Sequence, residues 1–592
     1  MEYYNKQTLW FLLENVHQAS FILSSERYTN FDEESMHMFI DTVNELSDRL
    51  LYPVFKEMDE VPAHFKDGDV IVHKAVKEYL KKAGELGLIG ALIKEENGGL
   101  QLPSIYYHAA LFILEAANNH MPGYGGLTAG AANLISEFGS ENLIKSYLPR
   151  MMSGDWPGTM CLTESQAGSS LSDVSTSAKK QEDGSYLISG QKIFISGGDN
   201  QFSENIIHLV LGRIEGAPAG TKGISLFVVP KNRITESGLE SNHVETLADF
   251  QKLGQRGYCT THIGFGSGGN SVGHIVGEPN RGLSYMFQMM NEARIAVGRG
   301  AVSISCAAFH ASLAYAKERS QGRKLTSSGK KNFTEEQTLI INHPDVRRML
   351  LFQKAMYEGS LSLILQAASY HDKMMISEGK QREKYHLLLE ILTPVAKTYP
   401  AEKGIESVSS GLQVLGGYGF CSDYILQQYY RDIRISAIYE GTTGIQSLDL
   451  LGRKIVMKNG KAYQLLKGEI TDTIEKCNSL PFASKQADLL QAKIKIVDNV
   501  VEYLEGKAAN KDYESFLANS SVFMDMFGIL IIGWQWLKIG SSVNDPDDEF
   551  EGSKVQTMKF YFIHELPKID GLATTLLTDN GITIPGITDV EF

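Results

Sequence analysis

Between about Asp32 and Tyr147 apolar positions recur at helical spacing: in Val72-His73-Lys74-Ala75-Val76-Lys77-Glu78-Tyr79-Leu80 they fall four apart, and Tyr106 to Ala117 continues the pattern. Gly98-Gly99 and Met121-Pro122-Gly123 punctuate this stretch as turns. From about Gly158 to Gly282 the period changes to short β-branched or aromatic runs: Tyr186 to Ile188, Lys192 to Ile195, Ile207 to Leu211 and Ile224 to Val229. Turns such as Asp183-Gly184, just before the first of them, are hairpin chemistry. Helical period then returns over Tyr285 to Arg319, His343 to Gly379, Glu383 to Ser410 and Ser436 to Met457, a possible four-helix unit. The polar segment Gly322 to Thr334 interrupts it as an exposed loop. A further helical block covers Lys485 to Leu504, Tyr513 to Ile539 and Lys554 to Leu577, the last interrupted at Pro567. The expected class is α+β, divided as an N-terminal helical extension (1–37), a helical domain (38–157), a β domain (158–283), a helical bundle (284–459) and an additional helical domain (460–592).

Composition narrows the choice of function. Apolar residues at 43% and charged residues at 21% describe a globular protein with ample core. A net charge of −14 makes the surface a poor general binder of nucleic acid or anionic lipid. The five cysteines show no C-x-x-C spacing, which predicts a reducing compartment and no cysteine zinc site. The start, Met1-Glu2-Tyr3-Tyr4, lacks a basic targeting region, and Met526 to Trp534, the most apolar run, is too short to span a bilayer. A cytoplasmic protein without a membrane span is expected.

Three segments carry a resemblance. Met160-Cys161-Leu162-Thr163-Glu164-Ser165-Gln166-Ala167-Gly168-Ser169 is similar to a T-E-P-x-x-G-S flavin segment. Gly190-Gln191-Lys192-Ile193-Phe194-Ile195-Ser196-Gly197-Gly198 is similar to a G-x-K-x-[WF]-I-[TS] strand. Gln413-Val414-Leu415-Gly416-Gly417-Tyr418-Gly419-Phe420, then Arg431-Asp432, then Tyr439-Glu440-Gly441-Thr442-Thr443-Gly444-Ile445-Gln446 resembles Q-x-x-G-G-x-G-[YF] … R-D … Y-E-G-T-x-x-[IV]-Q. In this order they resemble the acyl-CoA dehydrogenase family over roughly residues 40 to 457. The loop after Gly322 and the long tail further resemble its larger bacterial subgroup, which includes 3-methylmercaptopropionyl-CoA dehydrogenases.

The resemblance implies FAD and an acyl-CoA thioester. Oxidising the bond beside a thioester needs a base for the carbon-2 proton, an acceptor for the carbon-3 hydride and donors for the carbonyl oxygen; no side chain accepts a hydride. Glu440 matches the family's catalytic base. A lone glutamate there would read as an ordinary helix N-terminal acid; within its motif it does not. Leu162, Thr163, Phe194, Ser196, Arg319, Gln413, Gly416, Gly417, Thr442 and Gly444 match FAD contacts, with Arg319 reaching across a subunit interface. Ser169, Asn291, Arg294 and Gly441 match substrate contacts. Some members carry the base at the position of Ala293, which cannot serve. Its neighbour Glu292 is turned about 100° away.

The sequence departs from the family at Ser320-Gln321-Gly322-Arg323 after Arg319, at His343-Pro344, at Ser170 and at Asn291. The expected partners are an electron-transfer flavoprotein and a second copy of the chain, a homodimer, with no nucleic acid. An acyl-CoA oxidase using O₂ and a flavin-containing, nucleic-acid-associated relative are the alternatives.

Overall fold

The computed structural model describes residues 2–579 and 581–586. The chain divides into two compact units, one of Glu34–Ala293, the other of the residues through Glu33 together with those from Arg294 onward.

In the Glu34–Ala293 unit, helices come first. Ala75–Glu85 buries Val76, Tyr79, Leu80 and Ala83, the three-and-four spacing of one helical face. Ser104–Ala117 is apolar all round and almost wholly buried, as an interior helix should be. The helix Glu141–Met152 starts at Ser140, whose side chain accepts from Leu143 N at 3.4 Å.

Strands β1 (His64–Lys66) and β2 (Asp69–Ile71) form a small hairpin. The main sheet contains β3 (Gly158–Cys161), β4 (Ser177–Lys180), β5 (Tyr186–Ser196), β6 (Ile207–Ile214) and β7 (Ile224–Pro230). After a second hairpin, β8 (Asn232–Thr235) and β9 (Gly238–Ser241), the main sheet resumes with β10 (Val244–Asp249), β11 (Thr260–Phe265) and β12 (Ser271–Ile275). Its order is β10-β11-β5-β12-β7-β6-β3, with β4 against β5 and β6. Pairings β3–β6 and β4–β6 are parallel and the others antiparallel. Ile207, Leu209 and Leu211 face one core with Leu226 and Val228, while Val210, Phe227 and Val229 face another. Both faces are covered, which explains the unbroken apolar runs.

The sequence reading gives two runs here, Tyr186 to Ile188 and Lys192 to Ile195, whereas the structure has one 11-residue strand. The reason is steric. A Cβ at Gly190 would sit 2.8 Å from Thr176 Cα, so glycine is there for the neighbouring chain and not for a turn.

The second unit is helical. Long helices run over Gly282–Glu318, Pro344–Met375 and Gly379–Leu415, the latter two packed together. The boundary between the units falls within the first of them. Pro344 occupies the first turn of its helix, where a missing N–H costs nothing. Beyond Met457–Asn478, whose backbone breaks at Lys458, Asn459 and Gly460, come Ser484–Ala509, Ser520–Ser541, Glu549–His564 and Lys568–Thr578. Ser520–Ser541 is long and apolar enough to cross a membrane, but it is mostly buried and packs on Pro344–Met375 and Gly379–Leu415.

The N-terminal segment belongs to this same unit. Lys554, 2% exposed, donates to Thr8 Oγ1 at 2.8 Å and pairs with Glu358 at 2.9 Å. His17 Nε2 lies 3.0 Å from Ser362 Oγ, which donates to Gln535 Oε1 at 2.8 Å.

Candidate active site

Glu440 lies between the 3-10 turn Arg434–Ala437 and the helix Thr443–Asp449. The backbone there is left-handed twice, at Glu440 (φ 53°) and at Gly441 (φ 87°). Glycine adopts this conformation freely. A glutamate does so only where its surroundings enforce it, and such outliers cluster at functional sites. Buried Gln446 does the enforcing: its Nε2 donates to the Glu440 carbonyl at 3.1 Å. A Cβ at Gly441 would meet that nitrogen at 2.5 Å. Thr442 caps the helix, accepting from Ile445 N at 3.3 Å, and a Cβ at Gly444 would touch only Thr442 Oγ1. The Thr443 hydroxyl donates to the carboxylate of Glu402.

The Glu440 side chain is half-buried. Burial raises its carboxyl above the ordinary range, opposed by the positive charges of Lys397 and Arg294. Arg294 is buried and pairs with Asp449 at 2.8 Å; Asp449 also faces Arg453 at 3.2 Å. Asn291 and Glu292 are half-buried on the helix Gly282–Glu318.

A second cluster joins exposed residues at the end of the helix Gly379–Leu415. Gln413, Gly416 and Gly417 are exposed, and Gly416 is left-handed (φ 60°). The Arg319 guanidinium lies 5.9 Å over the Tyr418 ring, a cation–π contact.

A third cluster belongs to the sheet. Leu162 and Thr163 follow β3 and are tied to β5: Ile193 N donates to Thr163 O at 2.9 Å, and Lys192 Nζ to Leu162 O at 2.9 Å. Next to these bonds Phe194 takes a left-handed backbone (φ 58°) inside a strand and is 57% exposed, its ring leaning on Phe250. Ser196 ends the strand opposite Thr260, and Ser169 is exposed on the loop after Thr163.

Sequence reasoning missed Lys397, Glu402 and Asp449. Lys397 had a signal, a lone lysine within the apolar stretch Ile391 to Ala401. The other two lacked one, because their partners are distant in sequence.

Helices, a mixed sheet and helices again, with a constrained carboxylate in the second helical part, are the order in which three family domains match the chain. The N-terminal, middle and C-terminal domains of acyl-CoA dehydrogenase match residues 33–155, 159–267 and 280–455, and an acetyl-CoA dehydrogenase C-terminal like domain matches 466–583. The chain belongs to the acyl-CoA dehydrogenase family of FAD-dependent oxidoreductases.

It is 34% identical to the 3-methylmercaptopropionyl-CoA dehydrogenase of Ruegeria pomeroyi, over 89% of each chain. It is 32% identical to the broad-specificity linear acyl-CoA dehydrogenase of Mycobacterium tuberculosis, over 95% of each. An acyl-CoA dehydrogenase from Bacillus anthracis, complexed with FAD, shares the fold with a TM-score of 0.73 at 22% identity, covering 94% of this chain and 90% of that one. A chain solved in work on the electron transferring flavoprotein of Acidaminococcus fermentans superimposes with a TM-score of 0.57 at 23% identity, over 70% of this chain and 97% of that one.

The residues present fit FAD. Phe194 offers an exposed aromatic ring held out by a strained backbone. At Gly416 and Gly417 there is open space where a Cβ would stand, so a dinucleotide can approach the backbone closely, beside the cation of Arg319.

Proposed function

We propose that this protein oxidises the carbon 2–carbon 3 bond of an acyl-CoA thioester to the trans-2-enoyl-CoA, with Glu440 as the base and an electron-transfer flavoprotein taking the electrons. The observation that carries this reading is the left-handed Glu440-Gly441 pair, which holds a half-buried carboxylate on a strained backbone fixed by Gln446.

Bound FAD supplies the acceptor for the hydride leaving carbon 3. Everything else falls to the chain. The Glu440 carboxylate takes the carbon-2 proton, and its burial makes it a stronger base than an exposed glutamate. Gly441, without a side chain, lets the thioester approach the backbone, and the N–H of Glu440 is suited to the carbonyl oxygen as negative charge builds there. Arg294, fixed by Asp449, sets one wall, and Ser169 and Asn291 serve the rest of the substrate.

Leu162, Thr163, Phe194 and Ser196 hold the flavin ring. Gln413, Gly416 and Gly417 serve the dinucleotide end, with Thr442 and Gly444 beside the base. Arg319 completes the FAD site of a second copy, so the working form is a homodimer. The likeness to a chain solved in work on an electron transferring flavoprotein supports that partner.

Glu440→Gln tests the reading. The variant should purify yellow, bind acyl-CoA and lose about 10² to 10⁴-fold in flavin reduction under anaerobic conditions. Bleaching within a few-fold of wild type would overturn it. Fast turnover of the wild-type enzyme with O₂ alone would replace the flavoprotein partner with oxygen.

A further inference from the structure

Within the helix Gly379–Leu415 every residue from Ile391 to Ala401 is buried, and in the middle of that run Lys397 has no exposed surface. Its Nζ has no hydrogen-bond partner among the described residues. An ammonium taken from water without a partner is costly and persists only where negative charge stands near. The charges that reach it are those of Glu402, Glu440 and Arg294. Glu402 lies five residues on along the same helix, and its carboxylate already accepts the Thr443 hydroxyl. Arg294 repels the ammonium, and its own charge is answered by Asp449 at 2.8 Å, which also faces Arg453. Of the two cations acting on Glu440, Arg294 is held in a close ion pair with Asp449, whereas Lys397 makes none and its charge is shared between Glu402 and Glu440.

We propose that Lys397 is a positioning residue for the base: its buried ammonium keeps the Glu440 carboxylate ionised in the resting enzyme, so that the carboxylate is ready for the carbon-2 proton when substrate closes the site. The proposal rests on Glu440 being the base. Burial of Glu440 favours the protonated acid, which cannot act; Lys397 opposes this first and Arg294 second. Burial also draws the lysine itself down to about 8, so its charge is present through neutral pH and is lost above that value. Thr443, bonded to Glu402, ties the base-bearing turn to the helix that carries Lys397.

Lys397→Met keeps the length of the side chain and removes its charge. With that charge gone the acid limb of kcat/KM against pH should move up by about one pH unit, which on the acid side of both limbs is a loss of about tenfold. On the plateau the change should stay within about threefold, because a more basic carboxylate is no worse a base once ionised. A second readout does not depend on turnover. In infrared titration, the carboxylic acid band present in wild type and missing from Glu440→Gln should disappear at a pH about one unit higher in Lys397→Met.

Unmoved limb and band in a yellow, folded Lys397→Met overturn the proposal. So does loss of fold in both Lys397→Met and Lys397→Gln, which would assign the lysine to the scaffold. If Glu440→Gln keeps its activity, the functional reading itself fails; if Glu440→Gln is inactive and the limb is unmoved, only the role of Lys397 falls.

Discussion

The carboxylate of Glu164 receives Lys192 Nζ at 2.8 Å, Ser175 N and Oγ at 2.8 and 2.7 Å, Thr176 N and Oγ1 at 3.0 and 2.6 Å, and Gln166 Nε2 at 2.7 Å. Burial pushes this carboxyl upward, but Lys192 and the donors prevail and bring it down to about 2. A group depressed in the folded state contributes stability above its unfolded value, near 4.5, and loses it as pH falls toward about 2. Lys192 keeps its proton throughout that acidic range. Glu164→Gln should therefore lower Tm clearly at pH 7, and the gap from wild type should close between about pH 4.5 and 2. Thermal melts across that range decide it; a gap that stays constant would remove the ionised carboxylate from the explanation. Features set by adjacent residues, such as the Glu440-Gly441 pair within its motif, were legible in the sequence. Residues answered from far along the chain, such as Glu164 by Lys192 or Lys397 by Glu440, were not, because spacing carries no information about partners that only folding brings near.

At the scale of elements, most helices of the second unit were legible because periodicity and end signals are local, but the helix expected over Ser436 to Met457 is broken at residues 438–442, where Glu440 and Gly441 turn left-handed. His343-Pro344 starts one helix, Pro567 precedes another, and Asp548 caps a third through Phe550 and Glu551. The continuity of β5 was not, since it depends on Thr176 crossing at Gly190. Helix crossings were equally hidden. A Cβ at Gly298 would lie 1.9 Å from Ala396 O, next to Lys397, so the helix Gly282–Glu318 meets Gly379–Leu415 at backbone distance. Gly298→Ala should force them apart and cost about 1–3 kcal/mol, against a smaller gain from helix propensity. Urea unfolding with an unchanged m-value measures this, and a variant as stable as wild type would show that the crossing yields freely.

For the whole molecule, a homodimer predicts a light-scattering mass near twice 65.5 kDa, and four times that value would sink it. Truncation near Gly460 removes Ser520–Ser541 from the helices Pro344–Met375 and Gly379–Leu415 and uncovers the apolar face it occupies. Insoluble protein is the expected result, and a soluble truncated monomer would contradict it. The sequence marked Met526 to Trp534 as its most apolar run, but not that residues through Glu33 join the same unit, because an apolar face does not name its partner.

That membership sets an order of events during synthesis. The first helices leave the ribosome long before Pro344–Met375 and Glu549–His564, against which they rest, and the whole Glu34–Ala293 unit is made in between. At about 5–20 residues per second, the leading segment waits roughly 15 to 60 s for its first partner. Throughout that interval Leu9, Leu12, Leu13 and Ile22, all but inaccessible in the finished protein, are exposed on the nascent chain. Chains stalled before Pro344 should thus be clipped by protease ahead of Glu33 while the intervening unit resists, and full-length chains should lose that sensitivity on release.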